Sequence, residues 1–134
     1  MRRKILVVDD NPDLLGLVCL SLIKAGFTIG TATNGVDALK KAHSVSPDLV
    51  ILDVVMPELD GFAVCETLRE NPATASVPIL MLTGLQSHIS RQLGLESGAT
   101  DYMTKPFDPE QLVSKVEQLL CQPPVTSKGS AKRG

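Results

Sequence analysis

Tryptophan is missing from this chain of 134 residues, and aromatic side chains make up only 3% of it. Stacking on nucleic-acid bases or sugar rings therefore finds no platform. Cysteine is scarce: Cys19, Cys65 and Cys121 are widely spaced, odd in number and form no CxxC pair. That pattern excludes a disulfide frame or a zinc site and fits reduced thiols, with Cys19 and Cys65 in the core. No charge of one sign dominates, since the formal net charge is −2, so the bulk balance calls for neither nucleic acid nor an anionic membrane. After the basic opening "MRRK" only "ILVV" precedes Asp9, too short for a signal peptide, and no apolar run approaches a membrane span. A cytoplasmic protein is expected. There is no internal repeat and no GxxxxGK[ST] loop, which leaves nucleotide-based transfer by the chain itself without support.

What remains has the composition of one ordinary globular domain, 43% hydrophobic and 21% charged, long enough to bury a core. Short apolar runs read as strands over 4–8, 27–32, 49–52, 78–82 and 99–103. Helical spacing fills the gaps. The first helix follows Asn11-Pro12 and ends at Gly26, a cap-plus-proline start and a glycine stop. The second opens at Asn34-Gly35 and carries Val36, Leu39 and Ala42; the third follows Asp60-Gly61 with Phe62, Cys65 and Leu68 facing inward. The fourth runs from about Ser87 to Ser97, and the last starts at Asp108-Pro109 and buries Leu112, Val116, Leu119 and Leu120. Strict alternation of strand and helix implies right-handed βα units and a parallel sheet. Three strands are apolar at nearly every position, as strands covered on both faces are; "FTIGTA" is more polar and suits an edge. From Gln122 on, the chain turns Pro-, Ser-, Gly- and Lys-rich. Residues 1–121 thus read as the domain and 122–134 as a flexible tail or linker stub.

In an open parallel sheet, ligands bind beyond the carboxyl ends of the strands. Asp9 and Asp10 stand there after the first strand, Asp53 after the third, Thr83 after the fourth and Lys105 after the fifth. Carboxylates gathered that closely have raised pKa values unless a cation joins them. Oxygen-only ligands suit magnesium, which takes one or two carboxylates together with waters and a phosphate oxygen. Lys105 can hold a phosphoryl oxygen as a point charge, and Thr83 can donate to another. A carboxylate can also attack phosphorus to give an acyl phosphate. Asp53, alone at the end of the central strand, is the natural acceptor.

The stretches "VVDD", "DLVILDVVMPELDG", "PILMLTG" and "GATDYMTKPF" resemble the receiver domain of bacterial two-component response regulators, over about residues 3–121. The resemblance implies a flavodoxin-like (βα)5 three-layer sandwich with strand order 2-1-3-4-5. It implies that Asp10 ligates magnesium (or manganese) directly, Asp9 largely through water, and Val55 through its backbone carbonyl. Asp53 corresponds to the phosphorylated aspartate. Val55, Gly84 and Lys105 match phosphoryl-binding positions, Thr83 the switch hydroxyl and Tyr102 the switch aromatic. The Lys105-Pro106 bond is expected to be cis. Phosphorylation would then shift a population of two arrangements and alter the surface of the fourth helix, fifth strand and fifth helix. Val55 and Leu85 are apolar where fast-hydrolysing members of the family carry polar side chains, so a long-lived phosphoryl group is expected.

The implied partners are a sensor histidine kinase or phosphotransfer protein and a downstream effector or covalent output domain, with a homodimer as one output of phosphorylation. Membrane and nucleic acid are not expected partners of this domain. Two rivals stand beside this reading. An aspartate-nucleophile phosphatase would need a second Asp two residues after the nucleophile, where this chain has Val55. A phosphorylation-independent binding module would typically have lost one of the acidic residues or the lysine, and all are present. Taken alone, Asp9-Asp10 reads as an acidic pair at a helix start, Gly61 and Gly98 as turn and cap residues, and His43 and His88 as solvated helix residues. On the chain as given, a single-domain regulator is slightly favoured over the receiver of a longer protein.

Overall fold

A computed structural model describes residues 3–121 of the chain; the tail expected over 122–134 lies outside the described residues. Five strands, β1 (Lys4–Val8), β2 (Thr28–Ala32), β3 (Leu49–Leu52), β4 (Ile79–Thr83) and β5 (Asp101–Thr104), alternate with five helices. These are α1 (Pro12–Lys24), α2 (Gly35–Val45), α3 (Gly61–Glu70), α4 (His88–Glu96) and α5 (Pro109–Cys121). All strand pairs are parallel, and the order is β2-β1-β3-β4-β5. This is the expected doubly wound sandwich, with the more polar β2 at an edge.

Alternation along the strands divides the core in two. Leu6, Val8, Val50, Leu52, Ile79 and Met81 face one side, where Ala38 and Ala42 of α2 and Val64, Cys65 and Leu68 of α3 meet them. Ile5, Val7, Leu49, Ile51, Leu80 and Leu82 face the other, against Val18 and Leu22 of α1 and Leu112, Val116 and Leu119 of α5. Covering both faces is what the unbroken apolar strands require. Side chains cap the helix starts. The Asn11 side chain accepts from the Asp13 and Leu14 amides, Asn34 from Asp37, Asp60 from Ala63, and Ser87 from Ser90. Each such cap is worth about 1 kcal/mol.

The structure departs from the sequence reading at a few points. Val36 is 53% exposed, because the buried face of α2 is set by Gly35, Ala38 and Ala42, which leaves position 36 to the outside. Leu120 is only half-buried, on the flank of the Leu112/Val116/Leu119 stripe. Cys19 is likewise half-buried, against the α1/α5 side of the core. β5 begins at Asp101 rather than at residue 99, since the Ala99 amide still donates to the Gly94 carbonyl and closes the turn after α4. Gly61 is more than a turn residue. A Cβ there would overlap the Asp53 carbonyl oxygen and lie 2.7 Å from Val54 Cα.

These walls are backbone and cannot give way. Gly61→Ala is expected to destabilise the chain toward the upper end of roughly 1–3 kcal/mol, the cost of overpacking. Gly16→Ala, in an exposed stretch of α1 with nothing within 4 Å of its would-be Cβ, should stabilise it by about 0.5–1 kcal/mol. Equilibrium urea unfolding of both variants checks the pair of opposite signs.

Candidate functional site

The sheet continues its hydrogen bonding one residue past the strand ends, and this fixes the roots of the polar cluster. The Asp9 amide donates to the Ala32 carbonyl (3.1 Å), the Asp53 amide to Val8 (3.0 Å) and the Lys105 amide to Thr83 (2.8 Å). The side chains of Asp9, Asp53 and Thr83 are thereby held in a buried rim, 4%, 6% and 0% exposed, while Asp10 opens to solvent. Oxygens of Asp9, Asp10 and Asp53 all lie within 4.8 Å of one another. All five residues placed at strand ends from the sequence are where the topology was expected to put them.

Lys105 joins the cluster from the far strand. Its Nζ donates to Asp9 Oδ2 at 2.7 Å and to Asp53 Oδ2 at 3.1 Å. The remaining oxygens take backbone donors: the Asn11 amide at 2.9 Å on Asp9 Oδ1, and the Val55 amide at 3.3 Å on Asp53 Oδ1. Burial alone pushes the Lys105 ammonium down, but the hydrogen bonds and charges of Asp9 and Asp53 outweigh it and leave its pKa raised above 10.5. With the folded value raised, the stabilisation from this ammonium is complete below the ordinary lysine pKa. It is lost only as pH rises through the folded value. Lys105 is therefore a fixed positive charge at neutral pH.

Three carboxylates and one ammonium leave two negative charges. An oxygen-only donor set with that surplus fits a hard dication such as magnesium. The Lys105-Pro106 peptide is cis, as expected.

Beside the cluster, the Tyr102 ring lies inside the fold, 3% exposed, and its hydroxyl donates to the Leu85 carbonyl at 2.8 Å. Burial raises its pKa, the Arg91 charge lowers it and Asp53 raises it further, with a net rise. Arg91 was not singled out from the sequence. Its guanidinium carbon sits 5.8 Å from the Tyr102 ring centroid, and Nη1 donates to the Tyr102 carbonyl at 3.1 Å. No local signal pairs residues 91 and 102; only the α4–β5 turn brings them together. Gly84 is exposed, with nothing within 4 Å of a would-be Cβ. The Val55 side chain is 57% exposed and Leu85 is half-buried. His43 pairs with Asn71 Nδ2 at 3.0 Å, and His88 is exposed at the start of α4.

A model of the response regulator receiver domain matches residues 5–117 of the chain. The chain belongs to that family. This receiver domain is 43% identical over 130 residues to the alkaline phosphatase synthesis transcriptional regulatory protein PhoP of Bacillus subtilis (strain 168), covering 97% of this chain and 53% of that protein. It is 42% identical over 117 residues to the DNA-binding dual master transcriptional regulator RpaA of Synechocystis sp. (strain ATCC 27184 / PCC 6803 / Kazusa), covering 87% of this chain and 48% of that one. Among solved structures, the Vibrio cholerae chemotaxis protein CheY4 superimposes with a TM-score of 0.85 at 36% identity, over 89% of this chain and 99% of that one. The function is that of a two-component phosphoacceptor, and the phosphatase alternative is not favoured. The receiver domain spans about half the length of the curated relatives it matches. Among the described residues, no helix is long and apolar enough to cross a membrane.

Removing the ammonium would leave two nearly buried carboxylates unneutralised. Lys105→Met should cost roughly 3–5 kcal/mol in metal-free buffer, the penalty of breaking a buried ion pair. Adding Asp9→Asn to that variant should recover much of the loss, as measured by urea unfolding in the presence of chelator.

Proposed function

We propose that Asp53 is the phosphoacceptor of this receiver and that Asp9, Asp10, Asp53 and the Val55 carbonyl hold magnesium beside it, with manganese as a substitute. The observation that carries this is the position of Asp53 at the end of the central strand. It belongs to the carboxylate cluster and also accepts from Lys105. When bound, the cation neutralises charge on the phosphoryl oxygens and the carboxylates together. An Asp53 oxygen attacks the phosphorus of a partner's phosphohistidine, the O–P bond forms and the P–N bond breaks. Lys105 holds one phosphoryl oxygen electrostatically, and the Gly84 amide and Thr83 hydroxyl donate to others.

The chemistry is limited to the domain's own phosphorylation and dephosphorylation, in the cytoplasm, where the kinase presents its phosphohistidine. Once phosphorylated, Thr83 and Tyr102 favour one of two arrangements of the α4–β5–α5 face. That face already exposes Ile89, Leu93 and Leu95, apolar surface for a second receiver, an effector or a covalent output domain. Nucleic acid would be bound by such an output domain and not by this one.

Intact-protein mass after incubation with acetyl phosphate and Mg²⁺ tests the acceptor. Wild type is expected to gain one phosphoryl group and Asp53→Asn none; gain by both, or by neither with the fold intact, would overturn the assignment. Size exclusion on the same samples reads dimerisation. Neither Val55 nor Leu85 can position an attacking water, so the phosphoryl group should be long-lived. The isolated phosphoprotein should decay slowly, and Val55→Asn should shorten its half-life; fast decay of the wild type contradicts this reading.

A further inference from the structure

Glycine in the middle of a helix is ordinarily a liability, because alanine forms helix better. α4 nevertheless carries Gly94, its one buried residue. A Cβ built there would lie 2.8 Å from Met81 Sδ and 3.0 and 3.2 Å from Cδ2 and Cε2 of the Tyr102 ring. Met81 and Tyr102 are direct partners across β4 and β5, so both walls of the gap rise from the sheet. Met81 is fully buried and has no solvent to turn into. The ring is tied on its other side, its hydroxyl donating to the Leu85 carbonyl at 2.8 Å.

The helix cannot simply retreat to make room. The Gly94 carbonyl accepts from Ser97 Oγ at 2.7 Å and from the Ala99 amide at 3.1 Å. These two bonds fasten this point of α4 to the turn that leads into β5. We propose that Gly94 is the positioning residue for Tyr102: the absent side chain is what admits the ring to its inward seat. A methyl group at 94 biases the ring outward and so weakens the inward arrangement. The inference deepens the switch reading of Tyr102 given above and rests on it for its functional meaning.

Two readings of Gly94 differ in what they predict. If the glycine only lets α4 pack closely on the sheet, a methyl group costs stability whether or not the ring is there. If it makes room for the ring, that cost disappears with the ring, because the neighbouring Met81 side chain can then turn into the space the ring leaves. Tyr102 is the chain's one tyrosine and there is no tryptophan, so intrinsic emission reports on this side chain alone.

The test uses the full chain as wild type, Gly94→Ala, Tyr102→Ala and the double variant. Acrylamide quenching is measured on the two tyrosine-containing forms, before and after acetyl phosphate with Mg²⁺, with intact mass in parallel. Quenching is expected to be at least twofold stronger in Gly94→Ala, with phosphoryl uptake retained. Gly94→Ala should lower the melting temperature of the wild type and raise that of Tyr102→Ala. Unchanged quenching, or a melting shift of the same sign in both backgrounds, overturns the proposal. Should Gly94→Ala fail to fold alone, folding of the double variant supports the proposal and its failure overturns it. Absence of phosphoryl uptake by wild type would refute the acceptor reading of Asp53, while the tyrosine measurements still decide the role of Gly94.

Discussion

The Lys105 ammonium, 2.7 Å from Asp9 and 3.1 Å from Asp53, is the contact on which the rest of the arrangement depends. It links the first, third and fifth strands at one rim. Each partner is rooted in the backbone ladder, so its reach depends on strand register. A slip of one residue in β1 would turn Asp9 to the opposite face and send its neighbouring valines and leucines into the wrong half of the core. The double-sided apolar strands therefore do two things. They hold the sandwich together, and they fix where carboxylates that would otherwise repel can be brought together.

The cluster is deliberately incomplete as a neutral object. One ammonium among three carboxylates leaves a charge of −2, enough to attract a dication. A phosphoryl group on Asp53, as proposed above, would add negative charge and new acceptors for the Lys105 ammonium and the Thr83 hydroxyl to meet. Tyr102 sits one layer behind, its ring held between the Leu85 carbonyl and the open side of Gly94. Arg91 then ties the Tyr102 carbonyl to α4. These contacts lie between the rim and the outer face, and α4, with one buried residue, is the helix least anchored to the core.

Much of this was legible in the sequence, for identifiable reasons. Asp9, Asp53 and Lys105 each follow directly on a strand, Asp10 comes one residue later and Thr83 closes β4, and strands announce themselves by apolar runs. The helix starts were legible because Asn11, Asn34, Asp60 and Ser87 carry their caps in the local sequence. Tyr102 and the cis Lys105-Pro106 peptide came from family resemblance alone. Arg91 and Gly94 were not legible, because their meaning lies in contacts made across the α4–β5 turn. The constraint on Gly61 was missed for a related reason: the clash that a side chain would cause is with the backbone of Asp53 and Val54, eight and seven positions earlier.

The measurement that bears most directly on the central claim is thermal unfolding of the wild-type chain as Mg²⁺ is raised from chelator to excess, with Asp10→Asn alongside. Asp10 is the exposed member of the cluster, so its amide variant changes the charge without opening the core. A ligand that binds only the folded chain stabilises it by about 2.7 kcal/mol at a hundredfold excess over its dissociation constant. The melting temperature is expected to climb with Mg²⁺ in the wild type and barely to move in Asp10→Asn. A wild-type melting temperature indifferent to Mg²⁺ would contradict that claim, for the carboxylates would then be balanced by Lys105 and solvent alone.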